Sequence, residues 1–137
     1  MSRAARKHSP LKIKRSVIDK LLMYGLSRNE FGALLFGRDN VIIEVRRIRN
    51  TDTFRSDYFE WDHRQRIQEV ERAKTDGLCL LAEGHSHPKA SHSSRLSRMD
   101  LNYFNRQLPH LLIHSKSQKV TAWSSGERRP VRIVTIS

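Results

Sequence analysis

The stretch that most constrains this chain is Leu78-Cys79-Leu80-Leu81, which runs into Gly84-His85-Ser86-His87-Pro88 and then a polar loop. A short apolar run entered from Gly77 and stopped by Pro88 reads as a buried strand, Leu78 to Leu81 or a little beyond, that delivers two histidines to the end of a sheet. Strand ends of this kind are where sites are usually built. In extended backbone, residues i and i+2 project to the same side, so His85 and His87 present two imidazoles to one point. A lone His-x-His also arises by chance in surface loops, so its context has to decide.

The rest of the chain supplies one domain's worth of structure. Its 137 residues are the length of a single ordinary domain. With 37% hydrophobic and 29% charged residues it is too apolar for a disordered chain. After an extended piece at Leu11 to Lys14, Ser16-x-x-Asp19 gives a helix start, and Val17, Leu21, Leu22 and Leu26 recur at helical spacing, predicting a helix near 16–27. Phe31 to Phe36 and Val41 to Ile48 flank Gly37-Arg38-Asp39-Asn40 and read as a hairpin. Asp62 and Gln65 open a second helix whose apolar stripe is Ile67, Val70 and Ala73, closed by Gly77. Ser97-Arg98-Met99-Asp100 opens a third helix, Leu111 to Ile113 and Val120 to Trp123 form another hairpin, and Val131 to Ile136 alternates as a last strand. The predicted class is α+β, a mixed sheet flanked by helices, over residues 11–137, with residues 1–10 as a basic, mobile tail.

Composition narrows the partners without choosing one. A net charge of +12 raises the prior for nucleic acid, an acidic protein partner or an anionic surface. Part of that excess lies in Arg3, Arg6, Lys7, Lys12, Lys14 and Arg15, a run without one acidic residue. No window approaches the roughly 18 apolar residues of a membrane span, and no apolar stretch follows the basic N-terminus, so a cytoplasmic address is expected. The single cysteine, Cys79, excludes an intrachain disulfide and reads as a small hydrophobe in a core strand.

The nine-residue loop from Pro88 to Leu96 is long enough to bend back so that Asp100, in the first turn of its helix, faces the same point as His85 and His87. Two imidazoles and one carboxylate match a catalytic zinc site, which keeps its fourth position for water. This donor set suits zinc better than magnesium, which prefers oxygen ligands. A base is also needed, and Glu30, at the edge of the strand beginning Phe31-Gly32-Ala33, is the candidate, although position alone would read it as solvated.

Glu30, the small pair Gly32-Ala33, Gly37, then His85-Ser86-His87-Pro88 and Ser97-x-x-Asp100 together resemble the complete signature of the JAB/JAMM (MPN-type) zinc metallopeptidases. The order of elements is similar to that fold over roughly residues 11 to 136, a cytidine-deaminase-like mixed sheet. Two departures are visible: the His87–Ser97 loop is longer than usual, and Ala33 stands where glycine is commoner. The resemblance implies one Zn2+ per chain held by His85, His87 and Asp100, with Glu30 as general base and Ser97 as oxyanion donor. It also implies hydrolysis of peptide or isopeptide bonds at the C-terminal tail of a ubiquitin-like protein or its conjugate. Bacterial relatives trim sulfur-carrier proteins or serve antiphage conjugation systems.

Two rival classes follow from the same residues. A nucleic-acid-associated protein of this fold fits the charge, but a two-metal nuclease wants clustered carboxylates that are absent around the histidines. A zinc deaminase needs Pro-Cys-x-x-Cys, which one cysteine excludes. A catalytically silent scaffold is the second rival, and the presence of all five functional residue types argues against it. His92 reads as a solvated loop residue, His63, His110 and His114 have no spacing that recruits them, and Tyr58, Phe59 and Trp61 read as core.

Overall fold

The computed structural model describes residues 9–26, 31–51, 60–87, 105, 107–126 and 129–137. Among them are eight strands and two helices, the α+β class that the patterns predict. Residues 1–8 of the expected tail and the helix expected from Ser97 lie outside the described residues.

β1 (Leu11–Lys14) passes directly into α1 (Arg15–Tyr24). Because Lys14 is still paired to a neighbouring strand, the turn into the helix falls there, and Lys14 caps it without a side-chain bond. The Ser16-x-x-Asp19 pattern thus lies inside the helix instead of starting it. The helix also ends earlier than its apolar spacing implies: Gly25 is the C-cap, and Leu26 is exposed. Val17 and Leu21 carry the burial.

β2 (Gly32–Arg38) and β3 (Val41–Ile48) form the expected antiparallel hairpin. Asp39 and Asn40 turn it with φ of 52° and 63°, the doubly left-handed geometry that matches the twist of two-residue hairpins and that Asn and Asp tolerate. The register shifts between Phe36 and Gly37. A Cβ at Gly37 would lie 1.9 Å from the Val41 carbonyl oxygen, so this bulge needs glycine for space.

α2 (His63–Thr75) starts as predicted, with the Asp62 carboxylate accepting from Gln65 N at 3.0 Å. Its inward face is turned from the predicted stripe. Val70 and Ala73 pack, but Ile67 is exposed, while Arg66 and Glu69 reach the sheet. The helix meets polar partners there: Arg46 on β3 bonds Glu69 at 3.0 Å and Glu44 at 2.7 Å.

β4 (Cys79–His87) is longer than the apolar run alone and contains both histidines. Cys79, expected in the core, is exposed, because Leu78 takes the buried place where the strand begins. β5 (His110–His114) and β6 (Lys119–Trp123) form the second antiparallel hairpin. The last predicted strand is two: β7 (Pro130–Val131) pairs with β6, and β8 (Ile133–Ile136) pairs in parallel with β1.

The sheet order is β7-β6-β5-β4-β2-β3-β1-β8. Only Arg132 separates β7 from β8, yet they occupy opposite edges, so the sheet curls until its edges approach each other. α1 fills the concave side, where Val17 and Leu21 pack with Leu35, Val45, Ala82, Leu111, Ile113 and others. α2 covers the outer side over Leu34, Phe36, Ile48 and Trp61. No described helix is long and apolar enough to cross a membrane.

Gly37→Ala is expected to destabilise the protein by about 1–3 kcal/mol, as overpacking against fixed backbone does. Gly77→Ala, at φ 76° with open space around it, should cost only about 1 kcal/mol. Denaturant midpoints of the two variants check this, and equal losses would mean that the bulge relaxes freely.

Candidate metal centre

The site is organised by β4, which pairs antiparallel with β2 on one side and parallel with β5 on the other. Strand alternation sends Glu83 and His85 toward one face, and Ala82, Gly84 and Ser86 toward the other. His85 is fully buried and stands opposite Gly32, which has no side chain to crowd it. His87 closes the strand, in register with His114 of β5.

Ser86, between the histidines, ties two distant parts of the chain together. Phe31 N donates to Ser86 Oγ at 2.9 Å, and Ser86 N donates to the Phe31 carbonyl at 3.1 Å, across 55 residues of sequence. The residue that follows Glu30 is therefore clamped beside the His-x-His pair. Phe31 is itself buried, edge-on to Tyr24 at 5.7 Å, with the Arg47 guanidinium over both rings. Glu30 lies outside the described residues, as do Ser97 and Asp100. His92, Tyr58 and Phe59 fall outside them too, while Trp61 is a core residue as expected.

Glu83 escaped the sequence reading. Its carboxylate is 1% exposed, paired with Arg66 of α2 through one oxygen and accepting Asn105 N at 3.0 Å through the other. Arg66 is held in turn over the Trp61 ring, 5.5 Å from its centroid. With both oxygens engaged, Glu83 is a structural anion rather than a base. It also fixes where the chain returns: Pro109 O accepts from Glu83 N at 3.1 Å, just before β5. In sequence, Ser97 and Asp100 lie between His87, the last residue of β4, and Asn105, whose N–H donates to the Glu83 carboxylate.

The second residue that sequence reasoning missed is His110. Its Nε2 lies 2.6 Å from Nδ1 of His85, with ring centroids 4.8 Å apart. Spacing along the chain gave no reason to join residues 25 apart. The available signal was the pattern of β5, whose apolar Leu111-Leu112-Ile113 is bracketed by two histidines. Among the described residues no group of three metal-ligating side chains occurs. The buried imidazole of His85, with Nδ1 already committed, nevertheless suits a nitrogen ligand for zinc.

Removing Arg66 strands a buried carboxylate, whereas removing Glu83 frees an arginine that keeps 24% side-chain exposure and can turn to water. Arg66→Ala should therefore cost about 3 kcal/mol or more, and Glu83→Ala about 1–3 kcal/mol. Urea unfolding of both variants measures the order, and a larger loss for Glu83→Ala would contradict it.

Residues 17–126 match the family described as prokaryotic homologs of the JAB domain. No curated protein matches the chain. Among solved structures, a Desulfitobacterium hafniense protein determined in solution is similar with a TM-score of 0.77 and 22% identity, over 92% of both chains. A JAB1/MPN domain protein from Archaeoglobus fulgidus is similar at a TM-score of 0.58 and 23% identity, over 93% of this chain and 99% of that one. A JAMM structure, described as a metalloprotease-like zinc site in the proteasome and signalosome, reaches a TM-score of 0.53 at 22% identity, over 92% and 99%. At these identities the structural likeness speaks for the fold, and the sequence match covers most of the chain: this protein belongs to the prokaryotic JAB-domain family.

Proposed function

We propose that this protein is a zinc-dependent hydrolase of peptide or isopeptide bonds, acting at the C-terminal tail of a ubiquitin-like protein. The observation that carries this reading is the Phe31–Ser86 clamp, which holds the residue after Glu30 against the strand of His85 and His87. The neighbour of the proposed base and the strand of the proposed ligands, far apart in sequence, are joined by these bonds, which supports a hydrolytic reading. The zinc site named in the JAMM neighbour supports the choice of metal.

His85, His87 and Asp100 would hold one zinc ion. When bound, zinc supplies Lewis acidity to the scissile carbonyl and the attacking water. Glu30 takes the proton of that water and passes it to the leaving amine. Ser97 donates a hydrogen bond to the oxyanion that develops as the carbonyl is attacked. A flexible tail laid extended along a strand by backbone pairing is a suitable substrate, since such pairing aligns a peptide without demanding a particular side chain.

Protein purified without added zinc should carry about one zinc per chain. His85→Ala, His87→Ala and Asp100→Ala should lose both metal and turnover, while Glu30→Gln keeps the metal and loses turnover. Ser97→Gly should fold and bind zinc yet turn over at least roughly tenfold slower. Turnover is read as cleavage of ubiquitin-like proteins fused through their tails to a reporter. Zinc loss from Glu30→Gln equal to that from His87→Ala would make Glu30 a ligand or a structural group. Failure on every fusion alongside cutting of DNA would favour a nucleic-acid role, for which the +12 charge is the motive.

A further inference from the structure

We infer that His110 is a positioning residue for the metal site: it accepts a hydrogen bond from Nδ1–H of His85 and thereby sets both the tautomer and the ring orientation of that ligand. This inference rests on the reading of His85 as a ligand. The parallel pairing of β4 with β5 sets His110 opposite Glu83, two residues before His85 on the same face, and its ring leans along the strand to place Nε2 2.6 Å from His85 Nδ1. Both rings are buried, at 0% and 1% exposure, so neither nitrogen exchanges this contact for bulk water.

The proton count then assigns each nitrogen. A neutral imidazole that offers Nε2 as a ligand carries its one proton on Nδ1. At His85 that proton points across 2.6 Å to His110, so Nε2 of His110 must be the bare acceptor and His110 must carry its own proton on Nδ1. Ligating histidines commonly hand their second N–H to a carboxylate, a backbone carbonyl or water. Here a second imidazole takes that place, because the nearby carboxylate, Glu83, is committed to Arg66 and to Asn105 N. Packing does not call for histidine at this position: the next three residues of β5 are aliphatic and fully buried, and an aliphatic side chain would avoid the cost of burying a polar ring.

The test is zinc affinity by chelator competition, together with the visible spectrum of the cobalt-substituted protein. His110→Leu should fold, weaken zinc binding about 10- to 100-fold and alter the cobalt spectrum. His110→Gln, whose amide oxygen can accept in place of Nε2, should recover most of the lost affinity. Wild-type affinity and spectrum in His110→Leu would overturn the inference. Should that variant fail to fold, nitrogen NMR of the zinc-loaded wild type decides, since a proton on Nε2 of His110 would overturn it equally. His85→Ala separates this from the underlying reading: zinc retained in that variant removes the site itself, whereas zinc lost there but held normally by His110→Leu removes only the role of His110.

Discussion

Everything in this structure that bears on chemistry depends on the register of β4 between its two neighbours. Strand side chains alternate with a period of two, so a slip of one residue would put Ser86 on the face that His85 occupies and turn His85 to the opposite one. Two sets of constraints forbid the slip. On the concave side, Ala82 packs with Leu35, Leu111 and Ile113 under α1, and a Cβ at Gly84 would sit 3.0 Å from the Leu111 carbonyl oxygen, so small residues are needed where they stand. At the end of the strand, the reciprocal bonds of Ser86 and Phe31 close only in the observed alignment. Each such bond contributes about 1 kcal/mol net. Register comes chiefly from the apolar face, and the Ser86 bonds set the local fit at the end of the strand.

Charge is handled differently inside and outside. The chain carries a large positive excess, yet the described acidic groups on the outer side of the sheet are spent on internal pairs: Glu83 with Arg66, and Glu44 and Glu69 with Arg46. These pairs explain how α2, with few apolar contacts, is held against the sheet. Arg46 also lies over Phe36 and Arg66 over Trp61, so both cations cover aromatic surface while serving a carboxylate. The Glu83 pair differs in kind from the exposed ones, because its carboxylate has no access to water and must be matched for the strand to stay buried. It anchors the returning chain at Asn105 and ties α2, β4 and the approach to β5 into one unit.

How much was legible in advance varied with how local the physics is. The hairpin turn at Asp39-Asn40, the Asp62 cap of α2 and the His-x-His strand all follow from interactions among residues within a few positions of one another. The candidate pair His85 and His87 was proposed from the same local spacing, and Glu30, Ser97 and Asp100 from resemblance to the family's motif. The start of α1 was misplaced because strand pairing at Lys14, a contact with a distant segment, overrode the cap pattern at Ser16. The face of α2 was misjudged because Arg66 and Glu69 find carboxylate and guanidinium partners on the sheet, which apolar periodicity does not register.

Sequence by itself determined the class of fold and most of its elements and pointed to the candidate site, because period, turn composition and a dense local motif are written in neighbouring residues. Only the tertiary structure decided that the final strand breaks at Arg132 to serve both edges of a curled sheet, that Cys79 faces outward, and that Glu83 and His110 flank His85. Each of those outcomes depends on which strands lie side by side. Parallel pairing of β4 with β5 brings together residues 25 apart through backbone bonds that any side chains can make, so nothing in the identity of His110 announces its neighbour.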